Sequence, residues 1–249
     1  MYTTKELIVC CLSREIRDYE FSVVGSYSEI PMAAMLLAKK THAPNLNFYS
    51  VLGLNMKGPI FHSSTDYRNF KGMEDRADMD KILSVLTKGV DFFFASAIQV
   101  DKCGNVNLSC IGDHKKPLFR GPGPAGLASL TNSSKRFYIY IPSHKKRTLV
   151  ERVDFISGAG FLGGYDERRN LGLSGGPCKI ITELCIFDFN ENTKHARLKS
   201  IHPGVSIDYI RENTGFELIM SDNISTTGPP TDEELKILRN EIDPSGILR

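Results

Sequence analysis

Leu7, Ile8, Cys11, Leu12 and Ile16 recur at helical spacing, which predicts an amphipathic helix over residues 4–18 opened by Thr4. A short strand, FSVVG, follows, and Gly25-Ser26-Tyr27-Ser28 then leads into EIPMAAMLLAKK, a helix with Ser28 as N-cap and Pro31 in its first turn. The next apolar segment, NFYSVLG, reads as a strand. The polar stretch after it reads as a loop leading into a helix around Met79 to Lys88. DFFFASAIQV is almost wholly apolar, as expected of a central strand covered on both faces. RFYIYIP and KIITELCIFDF read as further buried strands, with a tight turn at Asp101 to Asn105 before them. TDEELKILRNEI reads as a C-terminal helix capped by Thr231, with Glu234 at the capping-box position.

This alternation predicts an α/β fold, an open, largely parallel sheet with helices on both faces and some antiparallel additions. No repeat, low-complexity segment or linker divides residues 1–249, so a single domain is expected. With 31 Lys+Arg against 29 Asp+Glu, the formal charge of +2 is too small to argue for nucleic acid or an anionic membrane as partner. A discrete, partly polar ligand fits better. No charged leader precedes an apolar core, and no apolar run approaches the roughly 18 residues that span a bilayer, so a cytoplasmic protein is expected. The six cysteines include no CxxC pair, and several lie in apolar runs such as LIVCCL, as buried free thiols do.

Four stretches carry candidate chemistry. Phe119-Arg120-Gly121-Pro122-Gly123-Pro124-Ala125-Gly126 has glycines that let a backbone approach a ligand and offer N–H groups to an oxyanion or phosphate. Spacing alone also reads as a rigid surface turn, and the glycine order excludes a GxGxxG fingerprint. The second glycine-rich region, Ser157 to Pro177, has the length of a lid or inter-subunit arm, or of a plain surface loop. The basic run His144-Lys145-Lys146-Arg147 suits the phosphates of a large cofactor, or simply solvent. His202 is either a general base or a turn histidine bonded to backbone. There is no Ser-His-Asp order, HExxH, P-loop or paired metal-ligand spacing, and no metal is expected.

Six segments in order, GSYSEIPMAAMLLAKKTHAPNL, QVDKCGNVNLSCIGD, FRGPGPAG, SHKKRTLVERVDFISGAGF, SIHPGVSIDYIRENTGFEL and PPTDEELKILRNEIDPSGI, resemble the β subunit of glutaconate-type class I CoA-transferases. The resemblance covers nearly the whole chain. It implies a class I CoA-transferase-like fold, an α-subunit partner in an αβ or α2β2 assembly, and an active site at the subunit interface. It also implies an acyl-CoA substrate, with coenzyme A entering only as part of that substrate and no bound cofactor.

In the transferases the strand after the HAP turn ends in Glu-x-Gly, whose glutamate attacks the thioester. Laid on this chain, the glutamate position is Val51 and the glycine is Gly53. Valine is neither nucleophile nor base. The family's Gly-x-Gly-Gly-Ala oxyanion loop falls on Gly121, Gly123, Ala125 and Gly126, with Pro124 supplying no N–H, so an oxyanion hole uses Gly123 or Ala125, or belongs to the α subunit.

Relatives without the glutamate include a steroid ring-opening hydrolase, with its base on an α-subunit glutamate, and a decarboxylase with cysteine at this position. NLSCIGD, SGAGF and the missing glutamate fit the hydrolase better. Alternatives are a true transferase using another carboxylate, for which Glu29 is the candidate in this chain, a decarboxylase, or a non-catalytic partner subunit.

Overall fold

The computed structural model describes the chain except residues 26–27, 51–52, 63–65, 67 and 69–71 and the side chain of Met79. The described residues form two compact units: residues 1–93 with 229–249, and residues 94–228.

The first unit holds helices α1 (Thr4–Ser13), α2 (Glu29–Thr41) and α3 (Met79–Lys88) and strands β1 (Phe21–Val23), β2 (Asn47–Ser50), β3 (Gly53–Leu54), β4 (Asp75–Arg76) and β5, Phe92–Ala95, which begins in it. Strand β1 pairs in parallel with both β2 and β5. Strands β2, β3 and β4 then pair antiparallel in succession. Both α1 from Leu7 to Leu12 and α2 from Ile30 to Ala38 are buried on every side, as helices apolar all round must be.

The first helix is shorter than its pattern predicts. Its N-cap is Thr3 rather than Thr4, in a capping box with Glu6, and it ends at Ser13. The chain turns there through bonds from Glu15 N to Leu12 O and from Ile16 N to Ser13 O, which still deliver Ile16 to the core.

The C-terminal segment returns to this unit. Its helix, Asp232–Ile237, carries the expected Thr231–Glu234 capping box and continues as a π-helical turn over Leu238–Ile242. Arg14 is bonded bidentately to Glu234 at 2.9 and 2.7 Å, and Arg239 to buried Glu6 at 2.7 and 2.9 Å. Burial works against the charge on Glu6, but the Arg239 bond and the Thr3 N–H outweigh it and hold the carboxyl below its usual range.

The second unit carries strands β6 (Gln99–Asp101), β7 (Val106–Asn107), β8 (Cys110–Ile111) and β9 (Phe119–Arg120), helix α4 (Leu127–Ser133), strands β10 (Arg136–Ile141) and β11 (Leu149–Val150), and helix α5 (Glu167–Asn170). Strands β12 (Pro177–Thr182), β13 (Cys185–Phe189) and β14 (Ala196–Ile201), helix α6 (Ile207–Asn213) and strand β15 (Ile219–Thr226) complete it. Its larger sheet runs β10-β12-β13-β14-β15, parallel at β10/β12 and β14/β15 and antiparallel between. A three-stranded sheet, β11-β6-β7, and the β8–β9 hairpin stand apart from it.

Two apolar runs read as single strands are each divided. DFFFASAIQV supplies β5 and then β6, which pairs with β7 and β11 instead. KIITELCIFDF is a hairpin of β12 and β13, because Thr182 Oγ1 accepts the N–H groups of Leu184 and Cys185 at 3.1 Å and reverses the chain.

Candidate active site

The glycine loop is held from beneath by a buried polar turn. Asp101 Oδ1 accepts the N–H groups of Cys103 and Asn105 at 3.0 Å and closes the β6–β7 hairpin. Burial raises the Asp101 pKa, with the Asn105 bonds opposing it. Asn107, fully buried, follows on β7. Its Oδ1 accepts from Ser109 N at 2.9 Å and its Nδ2 donates to Gln99 Oε1 at 2.8 Å and to Cys110 O at 2.7 Å. Ser157 Oγ accepts Leu108 N at 2.9 Å. The carbonyls of this braced turn take up the glycine loop: Gly121 N donates to Ser109 O at 2.8 Å and Gly123 N to Leu108 O at 2.9 Å.

These bonds sort the loop's donors. Gly121 is a glycine for packing, since a Cβ there would lie 2.2 Å from Leu108 O. Gly123 has its N–H committed to Leu108 O, and Pro124 has none. Leu127 N bonds Pro124 O at 2.7 Å, closing a turn with Ala125 at φ +42° and Gly126 at φ −83°, ψ 2°. That φ pattern belongs to a type II′ turn, whose first central position favours glycine. No acceptor is recorded among the described residues for the N–H groups of Ala125 and Gly126, and Ala125 is exposed. Of the loop residues singled out by spacing, these two hold the donors open to a ligand.

The remaining candidates lie in the first unit. Val51 falls outside the described residues. Its neighbours Ser50 and Gly53 pair across β2 and β3, with Ser50 Oγ donating to Gly53 O at 3.2 Å. Gly53 has no room for a side chain: a Cβ would meet Met73 Sδ at 2.1 Å and Asp75 O at 2.8 Å. Glu29 opens α2, half-buried, with no side-chain partner recorded among the described residues.

His202 is buried, with Nε2 donating to Thr182 O at 2.8 Å and Nδ1 2.9 Å from Thr227 Oγ1, and burial lowers its pKa. It is a turn histidine bonded to backbone. His144 departs from the basic run and is buried, while Lys145, Lys146 and Arg147 remain exposed. Burial also raises the thiols of Cys103 and Cys185 to about 12, which leaves them protonated and poor nucleophiles at neutral pH. Among the described residues no group of three His, Cys, Asp or Glu side chains is placed to hold a metal, and no helix is long and apolar enough to cross a membrane.

The glycine-rich region after Ser157 is pinned. Asn105 Oδ1 accepts Gly160 N and Leu162 N, and its Nδ2 donates to Leu162 O. Arg168, 3% exposed, directs all five of its donors at main-chain carbonyls. Residue spacing flags neither, because most of their partners are main-chain atoms, which carry no residue pattern.

A coenzyme A transferase family model matches residues 85–213. The B-type subunit of 3-oxoadipate CoA-transferase from Pseudomonas knackmussii is 32% identical over 96% of this chain and 92% of its own length. The cholesterol ring-cleaving hydrolase IpdB subunit of Mycobacterium tuberculosis is 31% identical over 99% and 97%. Among solved structures, glutaconate coenzyme A-transferase from Acidaminococcus fermentans superposes with a TM-score of 0.89 at 25% identity, covering 99% of this chain and 97% of that one. The open α/β sheet expected from the sequence is the architecture that these two share. Identity alone separates transferase from hydrolase by a single percentage point, so individual residues must decide between them.

Proposed function

The chain belongs to the coenzyme A transferase family, and from that premise we propose that it is the B-type subunit of a heteromeric enzyme that opens a carbon–carbon bond of an acyl-CoA with water. What carries this reading is the valine at residue 51, the position on which the resemblance lays the transferase glutamate. Ping-pong transfer needs a carboxylate there to take the acyl group and then hold CoA as a thioester. Valine does neither.

The remaining chemistry is retro-Claisen cleavage of a β-keto or cyclic 1,3-dione acyl-CoA. A base on the partner subunit takes one proton from water, and hydroxide adds to the ketone carbon. The tetrahedral oxyanion collapses with its carbon–carbon electron pair leaving as a carbonyl-stabilised carbanion, which is then protonated. A cyclic 1,3-dione gives a single ring-opened molecule that carries the new carboxylate and keeps its thioester to coenzyme A, whereas an acyclic β-keto acyl-CoA gives a carboxylate and a shortened acyl-CoA. The Ala125 and Gly126 N–H groups are this chain's donors to developing negative charge on oxygen, held in place before substrate arrives. The likeness to the IpdB subunit supports this reading. The likeness to 3-oxoadipate CoA-transferase supports its rival, transfer through Glu29.

The complex with its A-type partner, given a cyclic 1,3-dione acyl-CoA in heavy-oxygen water, is expected to place one heavy oxygen in the new carboxylate and to form no acetyl-CoA when acetate is added. Rapid transfer of CoA to acetate, with a borohydride-trapped adduct mapping to Glu29, would overturn the hydrolytic reading in favour of transfer.

A further inference from the structure

Two motifs far apart in sequence, NLSCIGD and SGAGF, meet beneath the glycine loop, and Ser157, 4% exposed, stands where they join. Its main chain is tied to β7. Ser157 N and Gly158 N both donate to Val106 O, at 2.9 and 3.0 Å, and Val106 N donates to Gly158 O at 2.9 Å. From that fixed base Ser157 Oγ accepts Leu108 N at 2.9 Å and lies 2.7 Å from Ser109 Oγ, which is also buried. Leu108 is therefore gripped from both sides, its N–H by Ser157 and its carbonyl by Gly123.

Gly158 fixes the other end of the same loop. A Cβ there would lie 2.9 Å from Leu127 Cγ and 2.9 Å from Thr131 Cγ2, so α4 rests directly on the glycine backbone. Ala159 N adds a bond to Thr131 Oγ1 at 3.2 Å. Leu127 is the residue whose N–H closes the turn onto Pro124 O. Residues 157–159 thus anchor the loop's entry through Leu108 and its exit through Leu127, and the N–H groups of Ala125 and Gly126 lie between the two anchors.

The Ser157 hydroxyl faces Leu108 N and Ser109 Oγ, so it acts on the loop through the backbone it holds. Alanine in its place takes the acceptor away from Leu108 N and the partner away from Ser109 Oγ, and a buried turn left with unsatisfied donors must shift to find others. Donors stabilise an oxyanion only where their geometry is fixed before substrate arrives, and a displacement of roughly 1 Å costs up to about a hundredfold in rate.

We infer that Ser157, with Gly158 beside it, is a positioning residue for the oxyanion donors at Ala125 and Gly126, and that the SGAGF segment governs the chemical step without touching the substrate. The inference rests on the reading of those two N–H groups as donors to the acyl-CoA oxyanion.

The test uses the complex with the A-type partner and steady-state turnover of a cyclic 1,3-dione acyl-CoA by wild type, Ser157→Ala, Gly158→Ala and Ser200→Ala. The last is the control, because Ser200 Oγ lies 2.8 Å from Thr227 Oγ1 in a buried hydroxyl pair that shares no residue with the loop or its brace. Ser157→Ala and Gly158→Ala are each expected to lower kcat by about tenfold to a hundredfold while KM stays within about twofold of wild type. Ser200→Ala should lower the melting temperature of the complex to a similar extent and leave kcat within about twofold. A fall of kcat in all three variants in step with melting temperature, an unchanged kcat in both brace variants, or a loss carried by KM would overturn the assignment and leave the functional reading standing. Should Ser157→Ala fail to assemble, Gly158→Ala keeps the hydroxyl, disturbs only the contact with α4, and decides the matter by the same split. A wild-type complex that leaves the dione intact but passes CoA to acetate would remove the hydrolytic reading alone, and the same variants are then compared on transfer, which also builds negative charge on the thioester oxygen. A wild type that turns over no acyl-CoA would remove both.

Discussion

Replacing His144 by glutamine isolates one source of acid lability. His144 is 2% exposed and lies 2.9 Å from Thr182 Oγ1 and 3.0 Å from Thr214 Oγ1. Burial, reinforced by nearby His202, lowers its pKa from 6.5 to about 4. An unfolded chain takes up this proton as the pH falls through about 6.5, whereas the folded chain refuses it until about pH 4. The unfolded state therefore binds more protons across that window, and stability declines as pH falls. The contribution is intact above pH 6.5 and lost on approach to pH 4. At 1.36 kcal/mol per pH unit, the span corresponds to about 3 kcal/mol. A glutamine amide offers hydrogen-bonding groups in place of the ring nitrogens and does not titrate. Urea unfolding followed by circular dichroism, since the chain has no tryptophan, should show wild type losing about 3 kcal/mol more than His144→Gln between pH 7 and pH 4. Glu6 and Glu234, both held below the usual carboxylate range, act at lower pH and cancel in the comparison. Parallel stability curves for the two proteins would refute the reasoning.

Arg168→Met should strand five main-chain carbonyls and cost at least about 3 kcal/mol, read as a melting temperature lowered by roughly 6–12 °C; a shift under 2 °C would show that the clamp holds nothing. Ala125→Gly relieves a left-handed alanine and should stabilise the chain by on the order of 1 kcal/mol in denaturant titration, and a loss of stability would mean that the turn is not strained there.

Elements bounded by local chemistry were readable without coordinates. The α3 helix has its predicted limits because Asp78 caps one end and Gly89, at φ +78°, closes the other. Thr231 and Glu234 announce the last helix in the same way. The two divided strands were not readable, since an apolar run records burial and not which sheet buries it. Val100 pairs with Val106 and Leu149, and nothing in DFFFASAIQV says so. The glycine loop stood out by composition, yet its donors could not be sorted until Leu108 O and Ser109 O were found beneath it. Bonds to main-chain atoms leave no side-chain pattern, and for that reason the roles of Asn105 and Arg168 are not legible in the sequence.

The division of the chain gives its two units different histories during synthesis. Residues 94–228 are contiguous, so every strand and brace of the glycine-loop unit is synthesised before residues 229–249, which the other unit still needs. The other unit waits. Its opening helix is fastened by Glu234 and Arg239, and Thr3 Oγ1 donates to Leu248 O at 2.7 Å. Since domains generally fold as units while the chain emerges, the middle of this protein can be native while its beginning is still unfinished. The apolar face of α1 and α2 is completed only once residues 229–249 have been made.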